Sequence, residues 1–137
     1  MQIRIVWRRL PSTVVIFCVA AGMLNAVPSK RTPVDVRCNG DDALTQRTCA
    51  AVENGLKSSP DFILSAESSP AELVITIPTN VDWKKVGKRT KVIYLAEFSS
   101  SGHQTLGNTK GACWDHAIST CATQIIRQLK VAARKAH

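Results

Sequence analysis

No two cysteines of this 137-residue chain lie closer than Cys113 and Cys121, which seven residues separate. Structural zinc sites draw ligands from pairs only about two to four residues apart, so the spacing speaks against a zinc scaffold. Histidines are scarce. His103, His116 and His137 have no partner at ligand spacing. No Gly-x-Ser-x-Gly turn occurs, which removes the usual sequence sign of a hydrolase nucleophile. The ten acidic residues are scattered, and Asp41–Asp42 is the one adjacent pair. That pair suits a helix start better than paired-carboxylate chemistry. Long repeats and low-complexity tracts are absent. Nothing in these residues implies a cofactor or a metal.

Positive charge is plentiful, with 18 Lys and Arg against 10 acids. Three of these cations, Arg4, Arg8 and Arg9, open the chain, and an uncharged apolar run follows from Leu10 to Ala26. A basic start, a short apolar run and small residues at its end make a signal peptide over residues 1–26. The best cut follows Ala26, with Ala21 and Gly22 as alternatives. An uncleaved membrane anchor is a second reading. Lipidation at Cys18 is a third, but Phe17 stands where a lipoprotein signal places a small residue. In every reading the remainder is exported, to a periplasm or outside the cell. Residues 27–33 then make a flexible leader, and residues 34–137 one domain. A basic exported domain suits anionic surfaces and acidic partners, and export makes nucleic acid a poor candidate.

Within the domain, "VDVRC" reads as a short strand, and "NGDD" as a turn into a helix. Leu44, Thr48, Val52 and Leu56 recur every four residues, so Ala43 to Lys57 is helical. Residues 61–67 and 71–78 read as strands, the second rich in β-branched side chains. Residues 79–90 read as a long, ordered, basic connection. In 91–98, Val92, Tyr94, Ala96 and Phe98 alternate with Ile93, Leu95 and Glu97, as in a half-buried strand. "TLGNTK" is a short final strand or a loop. A second helix starting near Trp114 would align Trp114, Ile118, Cys121, Ile125 and Leu129. The expected fold is α+β: a two-layer sandwich with a three- to four-stranded, mainly antiparallel sheet and two helices on one face.

Cys38, Cys49, Cys113 and Cys121 remain after the signal. Four cysteines in a small exported domain read as two disulfides, with three pairings open. If "TLGNTK" is a strand the helices run antiparallel, and if it is a loop they run parallel. Either arrangement favours Cys49–Cys121, across two helices packed side by side. Cys113–Cys121 is disfavoured if Cys113 is helical, because eight residues then rise about 12 Å. The tracts "DDALTQRTCAA" and "WDHAISTCAT" share an apolar position followed by Thr-Cys-Ala. That echo is too short to separate from coincidence.

A thiol enzyme would need Cys113 or Cys121 within reach of His116. His116 lies about 140° round the helix from Cys121, which leaves only Cys113. A Ser119–His103–Asp115 set has no motif behind it. The stronger candidate is the basic stretch Trp83, Lys84, Lys85, Lys88, Arg89 and Lys91. Cations interleaved with an aromatic suit anionic headgroups, although lysines also protect strand edges from aggregation.

The segment Ala71–Pro78, "AELVITIP", follows a strand after a helix. The order weakly resembles small Gram-negative envelope domains of the TolB N-terminal and penicillin-binding-protein-activator kind. The resemblance implies a non-catalytic module that binds a partner protein, and it carries no functional residues over. The expected function is therefore an exported, non-enzymatic domain that binds a partner protein or an anionic component of the envelope. A small exported hydrolase or thiol enzyme is one alternative. The other is an anionic membrane-surface binder acting through residues 83–91.

Overall fold

The computed structural model describes residues 30–65 and 70–136. The signal segment, Cys18 and His137 lie outside the described residues. Strand β1 spans Thr32–Cys38 and helix α1 Ala43–Lys57. Strands β2 (Phe62–Leu64), β3 (Leu73–Ile77), β4 (Asp82–Val86), β5 (Arg89–Ser100) and β6 (Thr105–Trp114) follow. A 3-10 turn over Asp115–Ala117 leads into α2, Ile118–Lys135. Among the described residues, no helix is long and apolar enough to cross a membrane. Strand β1 begins at Thr32, inside the stretch read as a leader, and Lys30 is ion-paired to Glu72 at 3.5 Å.

The helices form where periodicity placed them. In α1, Thr45, Thr48, Cys49, Val52 and Leu56 are buried. In α2 the buried stripe is Ile118, Cys121, Ala122, Ile125, Leu129 and Ala132. Trp114 is not in that stripe, because the chain is still extended there and the helix starts four residues later. The alternation in β5 holds: Val92, Tyr94, Ala96 and Phe98 are buried under the helices.

The sheet is larger and more mixed than expected. It has six strands in the order β2-β1-β3-β5-β4, and β6 lies on the other side of β5. Strand β1 is parallel to both β2 and β3, whereas β5 is antiparallel to β3, β4 and β6. The parallel pairs arise because α1 returns the chain to the starting end before β2, as a strand–helix–strand crossover does. Strands β3 and β4 run in the same direction along one edge of β5. Strand β3 pairs with residues 97–100 and β4 with residues 89–93. Only the bend at residues 78–81 was a connection. The rest of the expected loop is β4, a two-residue turn at Gly87-Lys88, and the first two residues of β5, Arg89 and Thr90. Gly87 has φ 63°, as the first position of a type II′ hairpin turn requires.

The disulfides are Cys38–Cys49 and Cys113–Cys121, with Cα separations of 6.5 and 5.5 Å. This corrects the expected Cys49–Cys121 bridge. Strand β6 runs parallel to β1, so the units β1–α1 and β6–α2 start at the same end of the sheet. Each disulfide joins the end of a strand to the early part of the helix that follows it. Cys113 is in a strand, so the helical-rise objection to Cys113–Cys121 does not apply. The contact between the helices is made elsewhere: a Cβ on Gly55 would lie 2.6 Å from Ile126 Cδ1. The two Thr-Cys-Ala tracts occupy equivalent places in the two units.

The bend between β3 and β4 is clamped to the start of α1. Asp42 caps α1, accepting from the N–H groups of Leu44 and Thr45 at 2.9 Å each. The Thr45 hydroxyl donates to the Asp42 carboxylate and accepts from the Val81 N–H at 2.8 Å. Asn80 Oδ1 accepts from the Asp41 N–H at 2.9 Å. Gly40 passes close beneath, where a Cβ would lie 3.0 Å from Asn80 Cα. Thr45 is fully buried. Thr45→Val keeps the shape of the side chain but strands the Val81 N–H. The expected loss is about 1–3 kcal/mol, read as a lower urea midpoint with an unchanged m-value.

Candidate functional site

The β4–β5 hairpin carries the basic residues singled out by the sequence. Every residue from 82 to 89 is exposed. Strand alternation sorts the cluster into two faces. Directly opposed residues are Trp83 and Val92, Lys84 and Lys91, Lys85 and Thr90, and Val86 and Arg89. Trp83 and Lys85 therefore share the face of buried Val92, on the helix side. Lys84, Lys91 and Arg89 share the face of Ile93, on the side with no helix. Lys88 sits at the turn.

On the open side, the Lys84 and Lys91 ammonium stems stand opposite each other across the ladder. Lys91 is also opposite Trp114 of β6. The Arg89 guanidinium lies 5.7 Å from the Trp114 ring centroid, within cation–π range. Trp114, assigned from the sequence to a buried helix stripe, is thus a half-buried platform beside three cations. The signal that would have found it is the alternation of β6, since Trp114 falls in phase with Ala112 and Lys110. Among the described residues, none of the six candidate side chains is paired with a carboxylate.

On the helix side, a cleft of about 410 Å³ lies between the hairpin and the start of α1. Asp42, Leu44, Asn80, Val81, Trp83, Lys85 and Thr90 line it. Lys85 donates to the Thr90 hydroxyl at 3.0 Å. The Asp42 carboxyl is held below its ordinary range, first by the Thr45 hydroxyl and then by the Thr45 N–H; burial acts the other way. Tyr94, in the core, has its phenol pushed up by burial against a lowering contact with Thr109. Its hydroxyl bonds Gln124 at 3.1 Å.

The thiol and triad alternatives are not assembled. Cys113 is bonded to Cys121 and so offers no thiolate to His116. His116 Nδ1 lies 3.6 Å from its neighbour Asp115. His103, in the turn before β6, is separated from Asp115 by the ten residues of that strand, about 30 Å. Among the described residues, no three His, Cys, Asp or Glu side chains gather as metal ligands would.

A carboxyl whose folded pKa is depressed contributes stability above its unfolded pKa. That contribution is lost as pH falls through the folded value. Asp42→Asn is therefore expected to flatten the fall in stability below about pH 4, measured by urea unfolding across acidic buffers.

No protein-family model and no curated protein sequence matches the chain. Solved structures do share its fold. A DUF330 protein from Xanthomonas campestris has a TM-score of 0.58 at 7% identity, over 82% of this chain and 91% of that one. A minor lipoprotein from Acinetobacter baumannii has a TM-score of 0.51 at 11% identity, over 77% and 94%. At these identities the likeness is one of fold, and the chain is similar in architecture to small proteins of Gram-negative bacteria.

Proposed function

We propose that this is an exported, non-catalytic envelope domain that binds an anionic envelope component through the open face of its β4–β5 hairpin. The observation that carries the reading is the Lys84–Lys91 pair. Like charges directly opposite on a sheet are destabilising, and no described carboxylate forms an ion pair with either lysine, Asp82 standing one pair further along the same face. A phosphate-bearing surface would do so, with Arg89 and Trp114 alongside. Val86, one of the four large apolar side chains exposed in the described structure, lies on this open face opposite Arg89, and Trp83, another, is exposed on the other face of the same hairpin. Cations beside exposed apolar groups suit lipid headgroups over a purely polar anion. Support for the compartment comes from the paired cysteines, the signal pattern and the fold shared with a lipoprotein.

Lys84→Glu gives a test with two opposed readouts. It replaces a repulsive cross-strand pair with an attractive one, so stability is expected to rise by about 0.2–1 kcal/mol. It also removes a cation from the face, so binding to phosphatidylglycerol vesicles is expected to weaken about tenfold and to become less salt-sensitive. Lys85→Glu, on the other face, is expected to weaken binding less. Vesicle binding that Lys84→Glu and Lys91→Glu leave unchanged rejects the proposal.

A further inference from the structure

Trp83 and Lys85 take no part in the open face of the hairpin. They stand on its helix side and line the cleft of about 410 Å³ between the hairpin and the start of α1. That volume falls among small-molecule sites, which run from about 300 to 1,000 Å³. Trp83 is the most exposed of the four exposed large apolar side chains, at 61%. Its indole gives the cleft one broad, flat, apolar wall. The other side is fixed before any ligand arrives, because the Thr45 and Asn80 bonds clamp the bend to α1. A wall held in place lowers the ordering cost of binding.

The polar groups of the cleft keep hydrogen-bonding capacity beyond their internal bonds. Lys85 Nζ gives one hydrogen to the Thr90 hydroxyl and has two more, and the Thr90 hydroxyl keeps its own hydrogen to donate. Asn80 Nδ2 gives one hydrogen to Asp41 at 3.3 Å and has a second. Asp42 takes two N–H groups on Oδ1 and the Thr45 hydroxyl on Oδ2, so Oδ2 still has a lone pair. The walls therefore both donate and accept. Their charges cancel, since the lining holds one ammonium, Lys85, and one carboxylate, Asp42. A cation in the cleft would meet Lys85. An anion would meet Asp42, which already occupies the helix end where an anion would otherwise sit. A purely apolar ligand would strip water from Lys85 and Asn80 without replacing its hydrogen bonds.

We infer that this cleft is a binding site for a neutral saccharide, with one sugar ring stacked on Trp83. A pyranose ring presents an apolar C–H face, which packs on the electron-rich face of an indole. The hydroxyls round its edge each donate and accept, which is the combination the walls offer. The site faces away from Lys84 and Lys91, so the inference is independent of what the open face binds.

Isothermal titration calorimetry on the full protein purified from the exporting cell tests this, with chitotetraose and cellotetraose as neutral probes. At least one is expected to bind with a Kd of about 0.1–1 mM. Trp83→Ala is expected to weaken that binding about tenfold or more, and Trp83→Phe to keep most of it. Thr90→Val, which removes a hydroxyl from the polar wall, is expected to weaken it several-fold. Near-UV circular dichroism confirms that each variant is folded. Tetragalacturonate, which carries a carboxylate on every ring, is expected to show no dependence on Trp83. Failure of both neutral probes to bind overturns the inference. So does binding that Trp83→Ala or Thr90→Val leaves unchanged, or a dependence on Trp83 confined to tetragalacturonate.

Discussion

Strand β5 is the constraint on which the other elements depend. Its twelve residues exceed the length of any neighbour on its first edge, so two strands must share that edge. Strands β3 and β4 do so in tandem, and the chain must bend between them. The bend at 78–81 exposes backbone groups that need partners; Thr45 of α1 takes the Val81 N–H, and the Asp41 N–H holds the bend through the Asn80 side chain, against which Gly40 packs. This fixes where α1 sits over the sheet. It also fixes where the cover ends: beyond the bend every residue of β4 is exposed, and only a cleft separates the hairpin from the start of α1. The exposure of the basic cluster follows from the length of β5.

The second edge of β5 carries β6, and here the close packing is local. Gly111 stands opposite Tyr94, whose ring fills the space a side chain would need; a Cβ would lie 2.6 Å from Tyr94 Cζ. The phenol then reaches Gln124 on α2. The same strand delivers Cys113 to the start of α2. With Cys38 and Cys49 doing the equivalent for β1 and α1, each helix is tied to its own preceding strand. Disulfides of this kind contribute about 2–4 kcal/mol each, a large share of what a domain this small can hold. The helices are left to meet through small side chains and Ile126.

Much of this was legible locally. Asp42 before a four-residue stripe located α1, and Val92, Tyr94, Ala96 and Phe98 located the buried face of β5. Periodicity and capping act over a few residues, and a single sequence displays them. Three things were not legible: the parallel pairing of β1, the strand character of residues 82–86, and the extended conformation at Cys113. Residues 82–86 carry two lysines and an aspartate and bury nothing, so they lack the apolar alternation that marks a strand. They are extended because β5 offers them a ladder. Trp114 mimicked the first apolar residue of a helix stripe because it falls in phase with Ile118 by chance.

The sequence by itself determined the basic cluster of residues 83–91, the boundaries of α1, the buried stripe of α2 from Ile118 onward and the buried face of β5. These depend on side-chain chemistry and short-range spacing. Only the tertiary structure decided which cysteines pair, that Lys84 and Lys91 oppose each other, and that Arg89 and Trp114 join them. Those are relations between residues brought together by strand register. Register is set by the whole sheet, since each pairing is chosen by the burial of faces on several strands at once.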